Sequence, residues 1–225
     1  THPLIREWFS ERLASNREAW RAGHSRLFDH LRRSTREGSL PSLEQLAPLY
    51  QAVIHGCKAR RYADALKKVY DARICRNTEK VAKFYSSSKL CAFATNLSSI
   101  SWFFQEPYSI IAPEMSIQDQ AWVFNEAGQC LSAQGRASEG LIPLRAALEI
   151  FESYKVEQNL SITASNLSQA ELLVGEIEAA RRTSEKAHDF NDGGLNLTSH
   201  RTGPWAIQAA VLHAAGEVKQ AEALF

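Results

Sequence analysis

Residues 124–147 read FNEAGQCLSAQGRASEGLIPLRAA, residues 164–187 read ASNLSQAELLVGEIEAARRTSEKA, and residues 205–225 read WAIQAAVLHAAGEVKQAEALF. Aligned, the three share one spacing. Gly135, Gly175 and Gly216 stand 40 and 41 residues apart, and Gly140, Ala180 and Ala221 follow them by five positions each time. Before each glycine runs a stripe at helical spacing: Phe124, Ala127, Gly128 and Leu131; Ala164, Leu167, Ser168 and Leu172; Trp205, Ala209 and Leu212. Two antiparallel helices cross closely only where a small residue faces a small residue, and a glycine closes the short turn between them. A fixed period carrying both features predicts stacked helix hairpins, each covering its neighbour's apolar face.

Outward from this region the scheme weakens but persists. Leu49, Ala52, Val53 and Gly56, then Tyr62, Ala65, Val69 and Ala72, form a fainter copy. Pro3 suits a first helical position, and Leu4, Ile5, Trp8, Phe9 and Leu13 follow as an apolar stripe. Asn16 is a candidate N-cap for a helix with Trp20, His24, Leu27, Phe28 and Leu31 on one face. Residues 36–41 break it. Ser42 opens a third helix with Gln45 in capping-box position, and a fourth is predicted from Tyr62 to Ile74. Lys80 to Phe104 reads as helix broken at Ser86–Ser88, Gln105–Met115 as a linker with Pro107 and Pro113, and Asn191–Gly203 as a long loop. Pro143 is expected to kink its helix or remove one bond. No strand pattern of period two appears. The fold predicted is all-α: about ten helices in antiparallel pairs, an α-solenoid covering roughly 60% of the chain or more with helix. The segments read as 1–36, a helical connector; 42–104, degenerate repeats; and 117–225, clear repeats.

The composition agrees. A chain of 225 residues can bury a core without staples. With 44% hydrophobic and 23% charged residues it is globular, and only 11 Gly and 7 Pro favour helix. A net charge of +1 excludes a dominant nucleic-acid or membrane charge, and no apolar run approaches the ~18 residues of a membrane span. The balance hides an asymmetry. Residues 1–90 hold 18 Lys and Arg against 9 Asp and Glu, a net of +9, and residues 91–225 hold 8 against 16, a net of −8. The basic residues, among them Arg32, Arg33, Arg36, Lys58, Arg60, Arg61, Lys67 and Lys68, face a phosphate-bearing or acidic partner, or are solvated helix faces, or belong to an N-terminal half that lies against another acidic domain. Aromatic residues do not interleave with them in a stacking pattern, so nucleic acid is not the expected partner. Cys57, Cys91 and Cys130 lie in apolar helical stretches and, with Cys75 and no CxxC pair, read as buried small hydrophobes in a reducing cytoplasm. The sequons at Asn96, Asn159, Asn166 and Asn196 read as chance.

The recurring small residues and turn glycines over about residues 117–225 resemble the tetratricopeptide repeat, with a period longer than that family's usual ~34 residues. The resemblance implies a right-handed superhelix whose concave surface is lined by first helices. Trp122, Asn125, Gln129, Asn166, Gln169 and His213 would face it. Asn and Gln can bond a peptide backbone and Trp offers an anchor. The clamp lysines that grip terminal carboxylates in that family are absent. At the amino end, His2-Pro-Leu-Ile-Arg-Glu-Trp-Phe9 resembles the last helix of the winged-helix domain in STAND-class signalling NTPases, and residues 18–28, EAWRAGHSRLF, resemble the connector before their repeat arrays. By that resemblance alone His2 would sense a nucleotide phosphate. The family's phosphate loop is missing, since no GxxxxGK[ST] occurs.

No catalytic constellation emerges. The seven histidines are scattered, no HExxH or GxSxG appears, and His24 and His213 read as packing residues. His188 with Asp189 and Asp192 reads as a helix end beside solvated acids, not a metal site. The expectation is a non-enzymatic, cytoplasmic interaction module without cofactor, the regulatory segment of a larger signalling ATPase that binds a protein or peptide in its groove. The alternative is a superhelix enclosing a small metabolite. Leu224 and Phe225, early in a repeat's second helix, lead to a further expectation: fraying from about Val218, or a dimer that packs a second copy over Trp205, Leu212 and Phe225 as a consequence of truncation.

Overall fold

Helix starts follow their caps. Asn16 Oδ1 accepts the Ala19 amide at 3.0 Å. Ser42 and Gln45 form the reciprocal capping box, with the Ser42 amide on Gln45 Oε1 at 2.9 Å. The computed structural model describes residues 3–77, 83–155, 157–192 and 198–224, and the chain divides into two compact units, residues 1–105 with 112–115 and residues 106–111 with 116–225. The chain is mostly helical, at 76%.

The first unit contains α1 (Pro3–Ser15), α2 (Arg17–Ser34), α3 (Leu43–Lys58), a π-helix (Asp64–Ile74), α4 (Tyr85–Ser88), α5 (Phe93–Ile100) and a 3-10 turn (Ser101–Phe103). α2 packs on α3, and α3 on the π-helix. Phe28, Leu46, Leu49, Val53, Val69, Tyr70 and Ile74 are sealed from solvent between them. The fainter repeat copy is visible at its small residues. A Cβ placed on Gly56 would lie 2.7 Å from Ala65 Cβ and 3.0 Å from Phe28 Cδ2. Two arginines tie the helices at their margins. Arg61 reaches Asp29 and Asp64, each at 2.8 Å. Arg73 Nε donates to Glu37 Oε1 at 2.6 Å, and its Nη2 donates to the Thr35 carbonyl at 2.9 Å.

Four local expectations are corrected here. The fourth helix forms but winds with i→i+5 bonds, ending with the Cys75 amide on Tyr70 O at 2.8 Å; its buried positions 65, 66, 69, 70 and 74 recur at the wider turn that this bonding gives. Ser86–Ser88 is a helical turn rather than a break. Ser87 and Ser88 donate to the Phe84 and Lys83 carbonyls at 3.0 Å each, which holds the turn closed; the break falls at residues 89–92, where Cys91 takes φ 49°. Cys91 is accordingly exposed, whereas Cys57, Cys75 and Cys130 are buried, none of them in a disulfide. The expected linker contains a two-stranded ribbon, β1 (Phe104–Glu106) and β2 (Ile110–Ile111), too short to show a period in sequence.

The second unit carries the repeats: α6 (Ile117–Ala133), α7 (Ala137–Ser153), α8 (Glu157–Leu173), α9 (Ile177–Asp192), α10 (Thr198–Ala214) and α11 (Val218–Glu222). Gly135, Gly175 and Gly216 take φ of 77°, 83° and 83°, the left-handed conformation that glycine adopts at no steric cost. The amide after each bonds back five residues, Arg136 to Leu131 O, Glu176 to Glu171 O and Glu217 to Leu212 O, at 2.9–3.0 Å. Each turn therefore carries the long-range bond of a Schellman C-cap. The small residues meet as predicted. A Cβ on Gly128 would sit 2.4 Å from Leu144 Cγ and 3.0 Å from Gly140 O. At the equivalent crossing Ser168 Oγ donates to Ala180 O at 2.8 Å, and at the third Ala209 and Ala221 are buried.

Helices of 16–17 residues account for the long period. Asn191 and Asp192 still belong to α9 and α10 begins at Thr198, so much of the expected loop is helix. α7 runs unbroken through the buried Pro143, at the loss of a single backbone bond. Between α7 and α8, Leu141, Leu144, Leu148, Phe151, Leu160, Ala164 and Leu167 form one apolar cluster. Each large side chain buried there contributes about 1.5–3 kcal/mol. Leu224 is half-buried, and Phe225 lies outside the described residues.

Candidate functional site

Within the second unit, α6 packs against α8 and α8 against α10, so the first helices of successive pairs lie side by side. Trp122, Asn125 and Gln129, spaced three and four apart on one α6 face, are half-buried. Asn166 of α8 donates through Nδ2 to Asn125 Oδ1 at 3.1 Å. That single bond joins two of the residues singled out in sequence. It uses one donor of Asn166 and one acceptor of Asn125, and leaves the Asn125 amide hydrogens and the Asn166 carbonyl for a further partner. Gln169 and His213 are exposed and are not drawn into this contact. His2 and residues 193–197 lie outside the described residues, as do the side chains of His188, Asp189 and Asp192.

Several polar side chains of these helices bond within the unit. Ser132 Oγ donates to Gly128 O at 2.9 Å, and Ser161 Oγ to Ala187 O at 2.9 Å. Glu171 is buried and meets Arg145, which also pairs with Glu176 at 2.5 Å. Glu126 is buried beside Cys130, whose thiol points to its carboxylate at 3.9 Å.

In the first unit the structure assembles a group that sequence reading missed. A cavity of about 480 Å³ is lined by Arg17, Trp20, Arg21, Cys57, Lys58, Arg60, Tyr62 and Trp102, with Ala14. Lys58 Nζ lies 4.4 Å from the Trp102 ring centre and 5.9 Å from that of Trp20, within cation–π range. Aromatic and basic residues do interleave here, through the fold rather than along the chain. Behind Trp20, His24 Nδ1 and His55 Nδ1 are 2.8 Å apart, and His24 is nine-tenths buried with no partner for Nε2. Burial first, then His55 and the Lys58 charge, lowers the His24 pKa to about 4; burial and Lys58 also lower that of His55. The short contact between the two rings therefore joins neutral imidazoles, one donating and one accepting. Burial holds the Cys57 thiol protonated, which removes it as a nucleophile.

Among the described residues no three His, Cys, Asp or Glu side chains converge as a metal site, and no helix is long and apolar enough to cross a membrane. Comparison of the chain with family models, with curated proteins and with solved structures returns no match. The molecule is thus defined by its own geometry: a helical protein with two candidate recognition surfaces, one an amide-bearing helix face and the other a basic aromatic cavity.

Proposed function

We propose that this protein is a non-enzymatic recognition module of the α-solenoid type, whose second unit takes an extended segment of a protein or peptide along α6, α8 and α10. The single observation that carries the reading is the Asn125–Asn166 bond. It places two side-chain amides from successive first helices at one point, with a donor and an acceptor left over. An extended peptide unit offers one donor and one acceptor of its own, and an amide pair matches it without requiring a particular sequence. Trp122 and Gln129 on one side and Gln169 and His213 on the other extend the surface. The resemblances noted in the sequence make such a module the regulatory segment of a larger cytoplasmic signalling ATPase, and that role belongs to the same proposal.

The test is a peptide selected from a random library against the whole chain, its affinity then measured by calorimetry. Asn166→Ala and Asn125→Ala are expected to weaken binding about tenfold each, the value of roughly one to two lost hydrogen bonds. Arg182→Ala, exposed on α9, should leave it unchanged. Equal affinity for all four proteins overturns the reading.

A further inference from the structure

Several cations of the first unit are paired with carboxylates. Arg61 is held by Asp29 and Asp64, Arg73 by Glu37, Lys68 by Asp64 and Arg60 by Glu114. Arg17, Arg21 and Lys58 have no carboxylate within ion-pair distance among the described residues, and no Asp or Glu lines the cavity that they share. Three like charges around one concavity repel one another, and folding gains nothing by gathering them. Lys58 already depresses the pKa of both nearby histidines, a sign that the local potential is positive. The walls between these charges are Trp20, Trp102 and Tyr62. Trp102 is 42% exposed, so its ring is open to a ligand. Arg17 and Arg21 also stand in the first turns of α2, where the helix dipole adds positive potential.

We propose that this cavity binds a small molecule in which a planar aromatic ring carries a phosphate. The phosphate takes Arg17, Arg21 and Lys58, whose flexible four-carbon stem swings off the indoles to meet it. The ring then stacks on the face of Trp102, the indole closer to Lys58, that Lys58 uncovers. The volume of about 480 Å³ suits a small ligand rather than a chain segment. Neither element suffices alone: inorganic phosphate would leave the indoles unused, and an uncharged ring would compete with Lys58 for them. The site is built from residues of the first unit alone, so the proposal stands or falls independently of the peptide reading.

The experiment titrates the whole chain with phenyl phosphate, inorganic phosphate and phenol, followed by calorimetry and by the histidine ring signals in NMR. Phenyl phosphate is expected to bind at least tenfold more tightly than either of the others. A bound dianion should raise the titration midpoint of His55. Trp102→Ala and Arg21→Ala, both at exposed positions, should each weaken phenyl phosphate about tenfold with unchanged circular dichroism. Lys58→Arg should retain more affinity than Lys58→Ala. If phenyl phosphate binds no better than inorganic phosphate, the cavity is a plain anion patch and the proposal is wrong. If Trp102→Ala binds as the parent does, the ring is not where the proposal puts it, and the proposal is again wrong.

Discussion

Gly128→Ala is the substitution on which the reasoning about the repeats is most exposed. In an isolated helix the change is favourable by about 0.5–1 kcal/mol, because alanine loses less backbone freedom than glycine. Here the new methyl would fall 2.4 Å from Leu144 Cγ and 3.0 Å from the Gly140 carbonyl. Neither is the loose end of a side chain: Cγ moves only if Leu144 leaves its rotamer or α7 shifts, and the carbonyl is backbone. Leu144 is also fully buried, so it has nowhere open to go. Overpacking of this kind costs about 1–3 kcal/mol, which exceeds the propensity gain. The net expectation is a loss of about 1–2 kcal/mol, or roughly 2–8 °C in Tm for a chain of this size. Gly23→Ala supplies the opposite sign. Gly23 sits inside α2, and its added Cβ would meet only Leu13 Cδ2 at 4.0 Å, an ordinary van der Waals contact, so the same substitution should stabilise by about 0.5–1 kcal/mol. Urea unfolding followed by circular dichroism reads both. A Gly128→Ala protein as stable as the parent would refute the close crossing of α6 and α7.

Other outcomes follow from the same geometry. Gly175→Ala should cost about 1 kcal/mol by forcing a side chain into φ 83°, whereas Gly175→Asn should cost less; urea midpoints compare them. Arg73→Ala removes the bonds to Glu37 and Thr35 O and should destabilise by about 2 kcal/mol, since it strands a largely buried carboxylate. Because the His24 pKa is lowered from 6.5 to about 4, the unfolded chain binds the extra proton between those values. The neutral His24 thus contributes fully above pH 6.5, and its contribution drains away as the pH falls toward 4. The stability of the parent relative to His24→Gln, measured by urea titration at each pH, should fall across that window, and a flat difference contradicts the assigned burial.

The close helix crossings and turn glycines of the second unit were legible because backbone geometry leaves a mark on residue type. Only glycine takes φ near 80° without strain, and only glycine, alanine or serine permits the crossing, so a 40- or 41-residue recurrence of both is close to a structural statement. Asn125 and Asn166 stand 41 residues apart, one repeat, and so occupy equivalent positions, but the bond between them was not itself read from the sequence. Nor was the cavity. Trp20, Lys58 and Trp102 are 38 and 44 residues apart with no repeat relating them, and only the packing of the first unit brings them together. Cys91 misled because its apolar neighbours read as helix, whereas it occupies the break at φ 49°. The serines at 86–88 misled because their hydroxyls can bond local carbonyls and so hold a turn as readily as break one. The i→i+5 winding of residues 64–74 has no composition of its own, and its apolar spacing is close enough to that of an α-helix to pass for one.

The central claim is that the first helices of the second unit form the recognition face. Its most direct test is amide chemical-shift mapping of the whole chain on addition of a library-selected peptide. The account predicts shifts concentrated at Trp122, Asn125, Gln129, Asn166 and Gln169, with intermolecular contacts from the peptide backbone to the Asn125 and Asn166 side-chain amides. Saturable binding whose shifts map instead to exposed positions of α7 and α9, such as Glu149 and Arg182, would contradict it.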